Sequence, residues 1–296
     1  MPTLKEVQLK IQGVKKTKQI TKAMNMVATS RLRGAQGAMD GFRPYAEKFS
    51  EVLGSLADKA GEEASPLLIP KENVKKIHVV LCTSDRGLCG GFNINLTDRA
   101  KNHLKNNPNA GAEFSFTCFG KKGRDWCRKN NHKIVDEHLG IVGSKFGFNV
   151  ASTAGKKLVD GFIDGQYDEV YLVYAEFVSM AKQLPVVQKL LPIPPIENDE
   201  TEEVSAAGYQ AEHICEPSPE ELLGELLPRN VYVQIFRGLL ETSTSEHAAR
   251  MTAMDNATKA CNDMIDSLTL AYNKARQASI TADLMDIVGG AEALKG

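Results

Sequence analysis

The residues that most resemble a reactive site lie in one turn. Thr83-Ser84-Asp85-Arg86-Gly87-Leu88-Cys89-Gly90-Gly91-Phe92-Asn93 follows an apolar run and precedes a helical pattern. Strand, glycine-rich loop and helix is the layout of a phosphate cradle, because loop amides and a helix N-terminus can both face an anion. The spacing, however, is neither GxGxxG nor GxxxxGK followed by Ser or Thr, and no Gly-Lys-Ser or Gly-Lys-Thr occurs in the chain. A tight turn that lets loop and helix backbones pack closely accounts for the same glycines. His78, His103, His132, His138, His213 and His247 are scattered, and none pairs with another histidine or a cysteine at a metal-ligand spacing. GxSxG and HExxH are absent. The sequence therefore supplies no catalytic constellation, no metal site and no cofactor.

Function must then lie in the elements, and the longest are at the ends. Met254, Ala257, Cys261, Met264, Leu268, Ala271, Ala275, Ala278, Ala282 and Met285 alternate at spacings of three and four, a heptad stripe. No proline follows Pro228 and no glycine lies between Gly238 and Gly289, so nothing local interrupts a helix. At 1.5 Å per residue it would be roughly 75 Å long. The N-terminal segment has Leu4, Val7, Ile11 and Val14 at heptad spacing; its apolar face is then expected to drift to Ile20, Met24, Val27 and Leu32. Gly34, Gly37, Gly41 and Pro44 crowd its middle, but Phe42, Tyr45, Phe49, Val52, Leu53 and Leu56 resume the period, so the helix is expected to continue toward Ala60 with a bend near Pro44. Two long helices with narrow apolar stripes, joined by a folded domain, pair most simply as an antiparallel coiled coil. The alanines of the C-terminal stripe predict a close approach, about 8 Å between axes.

Between them the period changes. Ile77–Cys82, Glu113–Phe119 and Glu169–Tyr174 read as strands, with helices over Leu96–Asn106, Lys121–Asn130 and Phe148–Phe162. Alternation of this kind predicts a small Rossmann-like α/β domain, and Ala181–Leu191 could return as a strand beside Val170–Val178. The expected organisation is an N-terminal coiled-coil helix over 1–60, the α/β domain over 75–195, an acidic loop over 196–218 and a C-terminal coiled-coil helix over 219–296, opening with a short helix around Pro219–Leu227. Apolar residues make up 42% of the chain and charged residues 25%, ordinary for a globular protein. The net charge of −1 gives no bias toward nucleic acid. Locally, Lys5, Lys10, Lys15, Lys16, Lys18, Lys22, Arg31 and Arg33 face only Glu6, and the cluster Lys15, Lys16, Lys18 and Lys22 would attract an acidic partner surface. Six cysteines without a CxxC pair read as free thiols, mostly in the core. Met1–Lys5 lacks the apolar core of a secretory signal, and Val170–Val178 is too short to span a bilayer, so the expectation is a cytoplasmic chain associated with membrane only through partners.

At both ends the chain resembles the gamma subunit of the F-type rotary ATP synthase. Lys18-Gln19-Ile20-Thr21-Lys22-Ala23-Met24-Asn25-Met26-Val27-Ala28 is similar to that family's N-terminal helix, and Ser84–Asn93 to its α/β-domain loop. Ser245–Met251, Tyr272–Thr281 and Ile287–Ala291 are similar to its C-terminal helix. The resemblance implies a non-catalytic central stalk, peripheral at the cytoplasmic face of the cell inner membrane. Its coiled coil threads a hexamer of three alpha and three beta subunits, and its α/β domain engages epsilon and the c-subunit membrane ring. It also implies contacts: Lys22 and Met24 with the lever region of a beta subunit, Arg276 and Gln277 with a beta-subunit loop, and Arg250 and Thr281 in the same set. Ile280, Leu284, Ile287, Val288 and Leu294 would turn in an apolar collar. Plant-plastid relatives carry an inserted cysteine pair as a redox switch; the corresponding acidic stretch here holds only Cys215, so no disulfide regulation is expected.

Periodicity alone also fits a non-rotary coiled-coil adaptor with an α/β domain, and the glycine-rich loop leaves a phosphate-binding enzyme as a third reading. Co-purification with nucleotide-binding subunits separates the first from the second; nucleotide binding by the isolated chain would favour the third.

Overall fold

A computed structural model describes residues 3–60, 65–71, 73–108, 111–194 and 218–294. The acidic segment 196–217, with Cys215, lies outside the described residues. Helix α1 spans Leu4–Ala60 and continues through Pro44. It starts with a reciprocal cap: the Thr3 amide donates to Glu6 Oε2 (3.0 Å) and the Glu6 amide to Thr3 Oγ1 (3.3 Å), satisfying two donors that a helix start leaves open. Helix α5 is one uninterrupted element from Pro219 to Ala293. The separate short helix expected at Pro219–Leu227 is its first turns, because Pro228 is accommodated inside it. Ser218 caps α5 by accepting from the Glu221 amide (3.2 Å), with Pro219 in the first helical position where its missing N–H costs nothing.

The chain divides into two compact units, Ser30–Ala249 and the pair Met1–Thr29 with Arg250–Gly296. The first holds β1 (Lys76–Cys82), α2 (Phe92–Lys105), β2 (Glu113–Phe119), α3 (Lys121–Lys129), β3 (Lys133–His138), α4 (Phe148–Ile163), β4 (Glu169–Phe177) and β5 (Gln183–Leu191). The sheet order is β3-β2-β1-β4-β5, parallel except for β5, which pairs antiparallel with β4. Strand β3 was not expected from the sequence: Lys-Ile-Val-Asp-Glu-His has too few apolar residues, because an edge strand is covered on few sides. One sheet face buries Ile77, Val79, Leu81, Phe116 and Cys118 against α2 and α3. The other buries Val80, Phe119, Val170 and Leu172 against α4 and the parts of α1 and α5 in this unit, including Leu53, Leu56, Leu227 and Ile235. Gly238 permits the close approach of α5 to the sheet, since a Cβ there would stand 2.8 Å from Leu172 Cδ2. Cys82, Cys89, Cys118 and Cys127 are buried free thiols and Cys261 is half-buried.

The second unit packs the start of α1 on the later part of α5. Steps of three and four from Leu4 reach Val7, Ile11, Val14, Lys18, Thr21, Asn25 and Ala28, and every one is buried or half-buried. Of the expected drift to Ile20, Met24, Val27 and Leu32, two members fail, since Ile20 is 60% exposed and Val27 also faces outward, whereas Met24 is half-buried and Leu32 is buried. The seam keeps its phase by accepting Lys18, Thr21 and Asn25. On α5 the inward residues are Met254, Thr258, Cys261, Ile265, Leu268, Tyr272 and Ala275. Only alternate members of the expected stripe coincide with these. Ala257 is half-buried beside Thr258, but Met264 is 51% exposed and Ala271 faces outward; Ala278, Ala282 and Met285 lie beyond Ala275, where every described residue is exposed. Met254, Cys261, Leu268 and Ala275 belong to two heptad phases, and the structure uses the one whose other positions bring in the bulk of Ile265 and Tyr272, which bury more apolar area than alanine. The close-packed alanine seam is thus replaced by one of larger and polar side chains.

Candidate partner-contact surface

Two polar contacts fix the pairing of α1 and α5 within the coiled-coil unit. Thr21 Oγ1 lies 2.8 Å from Thr258 Oγ1, and Asn25 Nδ2 donates to the Met251 carbonyl at 2.8 Å. Higher numbers on α1 meet lower numbers on α5, so the helices are antiparallel. Continuing that register brings the start of α1 level with the region of Ala275, the last half-buried residue of α5. Every described residue from Arg276 to Leu294 is exposed. This tip carries Ile280, Leu284, Met285, Ile287, Val288 and Leu294, the last 90% exposed. A helix tip of this composition, without a partner among the described residues, is an apolar surface of the kind that marks an interaction site.

The expected contact residues fall into two groups along this unit. Lys22 is exposed, Met24 and Arg250 are half-buried, and all three adjoin the Asn25–Met251 bond in sequence. Arg276, Gln277 and Thr281 sit at the base of the unpaired tip, about 39 Å further along α5 at 1.5 Å per residue. Arg276 and Gln277 point to solvent, whereas the Thr281 hydroxyl folds back to donate to the Gln277 carbonyl at 2.9 Å. Lys15, Lys16, Lys18 and Lys22 have no acidic partner among the described residues, so their charge is available to another molecule. Leu9, Ile20, Met26, Val27 and Leu270 extend the outward apolar surface. Ile20 and Val27 were missed as contact candidates because apolarity assigned them to the seam; a strict heptad count from Leu4, tolerating threonine and asparagine, would have placed them outside.

The glycine-rich loop does not present a cradle. The Ser84 amide donates to Asn93 Oδ1 (3.0 Å), Asn93 Nδ2 donates to Ser84 Oγ (2.8 Å) and approaches Cys89 Sγ (3.2 Å), and the Ser84 hydroxyl lies 2.6 Å from the Arg86 carbonyl. Its polar groups bond one another. In an open parallel sheet of this order ligands bind where the strand order reverses, here between the carboxyl ends of β1 and β4. α5 supplies residues there: the Ala175 amide donates to Thr242 Oγ1 (3.3 Å) and the Ser245 hydroxyl to the Ala175 carbonyl (3.2 Å). Thr242, Ser243, Thr244, Ser245, Glu246 and His247 are all buried in this unit. Burial pushes the carboxyl of nearby Glu241 above its usual range, opposed by Arg237 Nε at 3.0 Å. His78 is a satisfied core histidine, with Nδ1 2.7 Å from Ser115 Oγ and Nε2 2.9 Å from Thr117 Oγ1; burial lowers its pKa to about 3. Among the described residues no group of three or more His, Cys, Asp or Glu is placed to hold a metal ion, and no helix is long and apolar enough to cross a membrane.

A family model described as ATP synthase matches residues 3–294. The chain is 69% identical, over the full length of both, to the ATP synthase gamma chain of Desulfosudis oleivorans. It is 64% identical to that of Desulforapulum autotrophicum, covering 99% of this chain and 100% of the relative. Among solved structures, a chain of the Euglena gracilis mitochondrial ATP synthase rotor superposes with a TM-score of 0.65 at 20% identity, over 94% of this chain and 98% of that one. A second Euglena chain, from an assembly with the c-ring, gives 0.63 at 17% identity, over 98% and 94%.

Proposed function

This chain belongs to the ATP synthase gamma-chain family, and from that premise we propose how it works as the central rotary stalk of the F-type enzyme, coupling ion flow through the membrane sector to ATP synthesis or hydrolysis in the catalytic hexamer. The partners in this reading are the alpha and beta subunits around the coiled coil, and epsilon and the c-subunit ring against the α/β unit. The chain is peripheral, at the cytoplasmic face of the inner membrane. Nucleotide chemistry stays in the hexamer, and this chain contributes no nucleophile, base or metal ligand to it.

The observation that carries the mechanism is the outer part of α5, exposed over every described residue after Ala275 and rich in large apolar side chains. An apolar surface is held by a non-directional force, which suits a tip turning within a collar, because directional hydrogen bonds would create angular traps. Below the tip, one rod with different faces cannot meet three identical beta subunits in the same way at once. At any angle it therefore favours a different conformation in each. Turning it carries those biases around the ring, a population shift driven by differential contacts. Moving one site from 1:99 to 99:1 between two states takes about 5.5 kcal/mol of such difference. Lys22 with Met24 supplies one set of contacts, to the beta-subunit lever; Arg250, Arg276, Gln277 and Thr281 supply the rest, and the lysine cluster at 15, 16, 18 and 22 attracts an acidic partner surface. Native mass spectrometry of the purified complex tests the assignment: one copy of this chain per six nucleotide-binding subunits is expected, and equal copies would refute a single shaft. Cross-linking a Gln277→Cys variant tests the contacts, with capture of a beta subunit expected and capture of epsilon alone contradicting them.

A further inference from the structure

The α/β unit contains a cavity of about 770 Å³ between α1, α5 and the loop before α4, within the size range of small-molecule sites. Arg31 and Lys145 bring two cationic groups, His247 a ring nitrogen and Ser243 a hydroxyl, against a wall formed by Phe146 and Leu240. Ser243 is only 3% exposed and His247 5%, so both stand at depth. His247 Nδ1 lies 2.8 Å from Glu246 Oε2, a close approach without hydrogen-bond geometry, and Nε2 is the ring's other polar atom. Arg31 Nη1 donates to the Gly143 carbonyl at 3.3 Å, tying the guanidinium to the loop while its remaining donors stay available. Neither the Ser243 hydroxyl nor the Lys145 ammonium has a hydrogen-bond or ion-pair partner among the described residues. Ser243 lines the cavity and its hydroxyl is not sealed in the core, so it stays open to donate to a bound molecule. Glu246 brings a carboxylate beside the cavity, its Oε2 2.8 Å from His247 Nδ1.

We propose that this cavity binds a small phosphate-bearing anion. Arg31 and Lys145 would hold the phosphate at the mouth, a guanidinium being suited to two of its oxygens at once. Ser243 and the free nitrogen of His247 would donate from within, and Phe146 with Leu240 would cover the rest of an esterified ligand. The site lies wholly in the α/β unit and uses none of the shaft contacts assigned above, so each reading can fail without the other.

The test is calorimetric titration of the full-length chain with inorganic phosphate and, separately, with ADP without magnesium. Saturable one-to-one binding of either is expected, weakened at least tenfold in Arg31→Gln/Lys145→Gln and in His247→Asn. Binding of phosphate as tight as ADP identifies the free anion as occupant; tighter ADP identifies an ester that also uses the apolar wall. Arg31 and Lys145 are exposed, so the double variant keeps the test valid if His247→Asn does not fold. No saturable binding of either probe, or binding unchanged in the double variant, overturns the proposal.

Discussion

Acidification should strain the sheet at one identifiable residue. His78 is fully buried between β1 and β2, with both ring nitrogens engaged by Ser115 and Thr117 and the ring 4.3 Å from that of Tyr167. Its folded pKa of about 3, against an unfolded value of 6.5, means that between these limits the unfolded chain binds a proton and the folded chain does not. Stability therefore rises with pH through this window and falls as pH drops below 6.5. Each pH unit is worth at most about 1.4 kcal/mol, so going from pH 7 to pH 5 costs about 2 kcal/mol from this group. The assay is urea unfolding of the full-length chain at several pH values, beside His78→Gln, whose amide can still bond both hydroxyls but does not titrate. His103, His132 and His138 are also lowered by burial and add to the slope in both proteins, so the difference between the two curves isolates His78. That difference should move by about 2 kcal/mol in favour of the variant from pH 7 to pH 5. Parallel curves would refute the neutral, doubly bonded ring.

Gly155→Ala should destabilise the chain by roughly 1 to 3 kcal/mol, because its Cβ would lie within 2.3 Å of Tyr232 Cδ1; thermal unfolding measures the loss, and Tyr232→Leu in the same chain should recover part of it. Thr21 and Thr258 have two hydroxyl protons for three contacts: each other, the Lys18 carbonyl (3.0 Å) and the Met254 carbonyl (2.8 Å). A double-mutant cycle with valine should accordingly give a coupling of about one neutral hydrogen bond, near 1 kcal/mol, and zero coupling would show that the two hydroxyls ignore each other. Arg276→Ala with Gln277→Ala removes two exposed side chains, so unfolding should change by less than about 0.5 kcal/mol while ATP synthesis by the assembled enzyme falls; unimpaired synthesis removes them from the contact set.

Much of this architecture was legible because long uninterrupted periods leave few alternatives. β1, β2 and β4 read as strands from their apolar continuity, and α5 as a helix from its lack of glycine and proline beyond Gly238. The phase of the seam was not legible. Met254, Cys261, Leu268 and Ala275 satisfy two heptads equally, and apolarity favours the wrong one when threonine and asparagine occupy inward positions. The same ambiguity concealed Ile20 and Val27 as surface residues. Strand β3 was hidden because an edge strand need not be apolar. The buried run from Glu241 to His247 reads as solvent-facing in sequence, since nothing local indicates that the sheet covers it. The cavity beside His247 was invisible for a related reason: Arg31, Lys145 and His247 are brought together only by the tertiary fold.

The shaft account rests on turning, and direct observation of rotation tests it. A fluorescent rod attached through Lys133→Cys, an exposed position on β3, to the complex immobilised by its hexamer should rotate in one direction when ATP is supplied, pausing three times per turn as the three beta subunits are met in succession. A rod that stays fixed while the same complexes hydrolyse ATP would contradict the account and leave the chain a static scaffold.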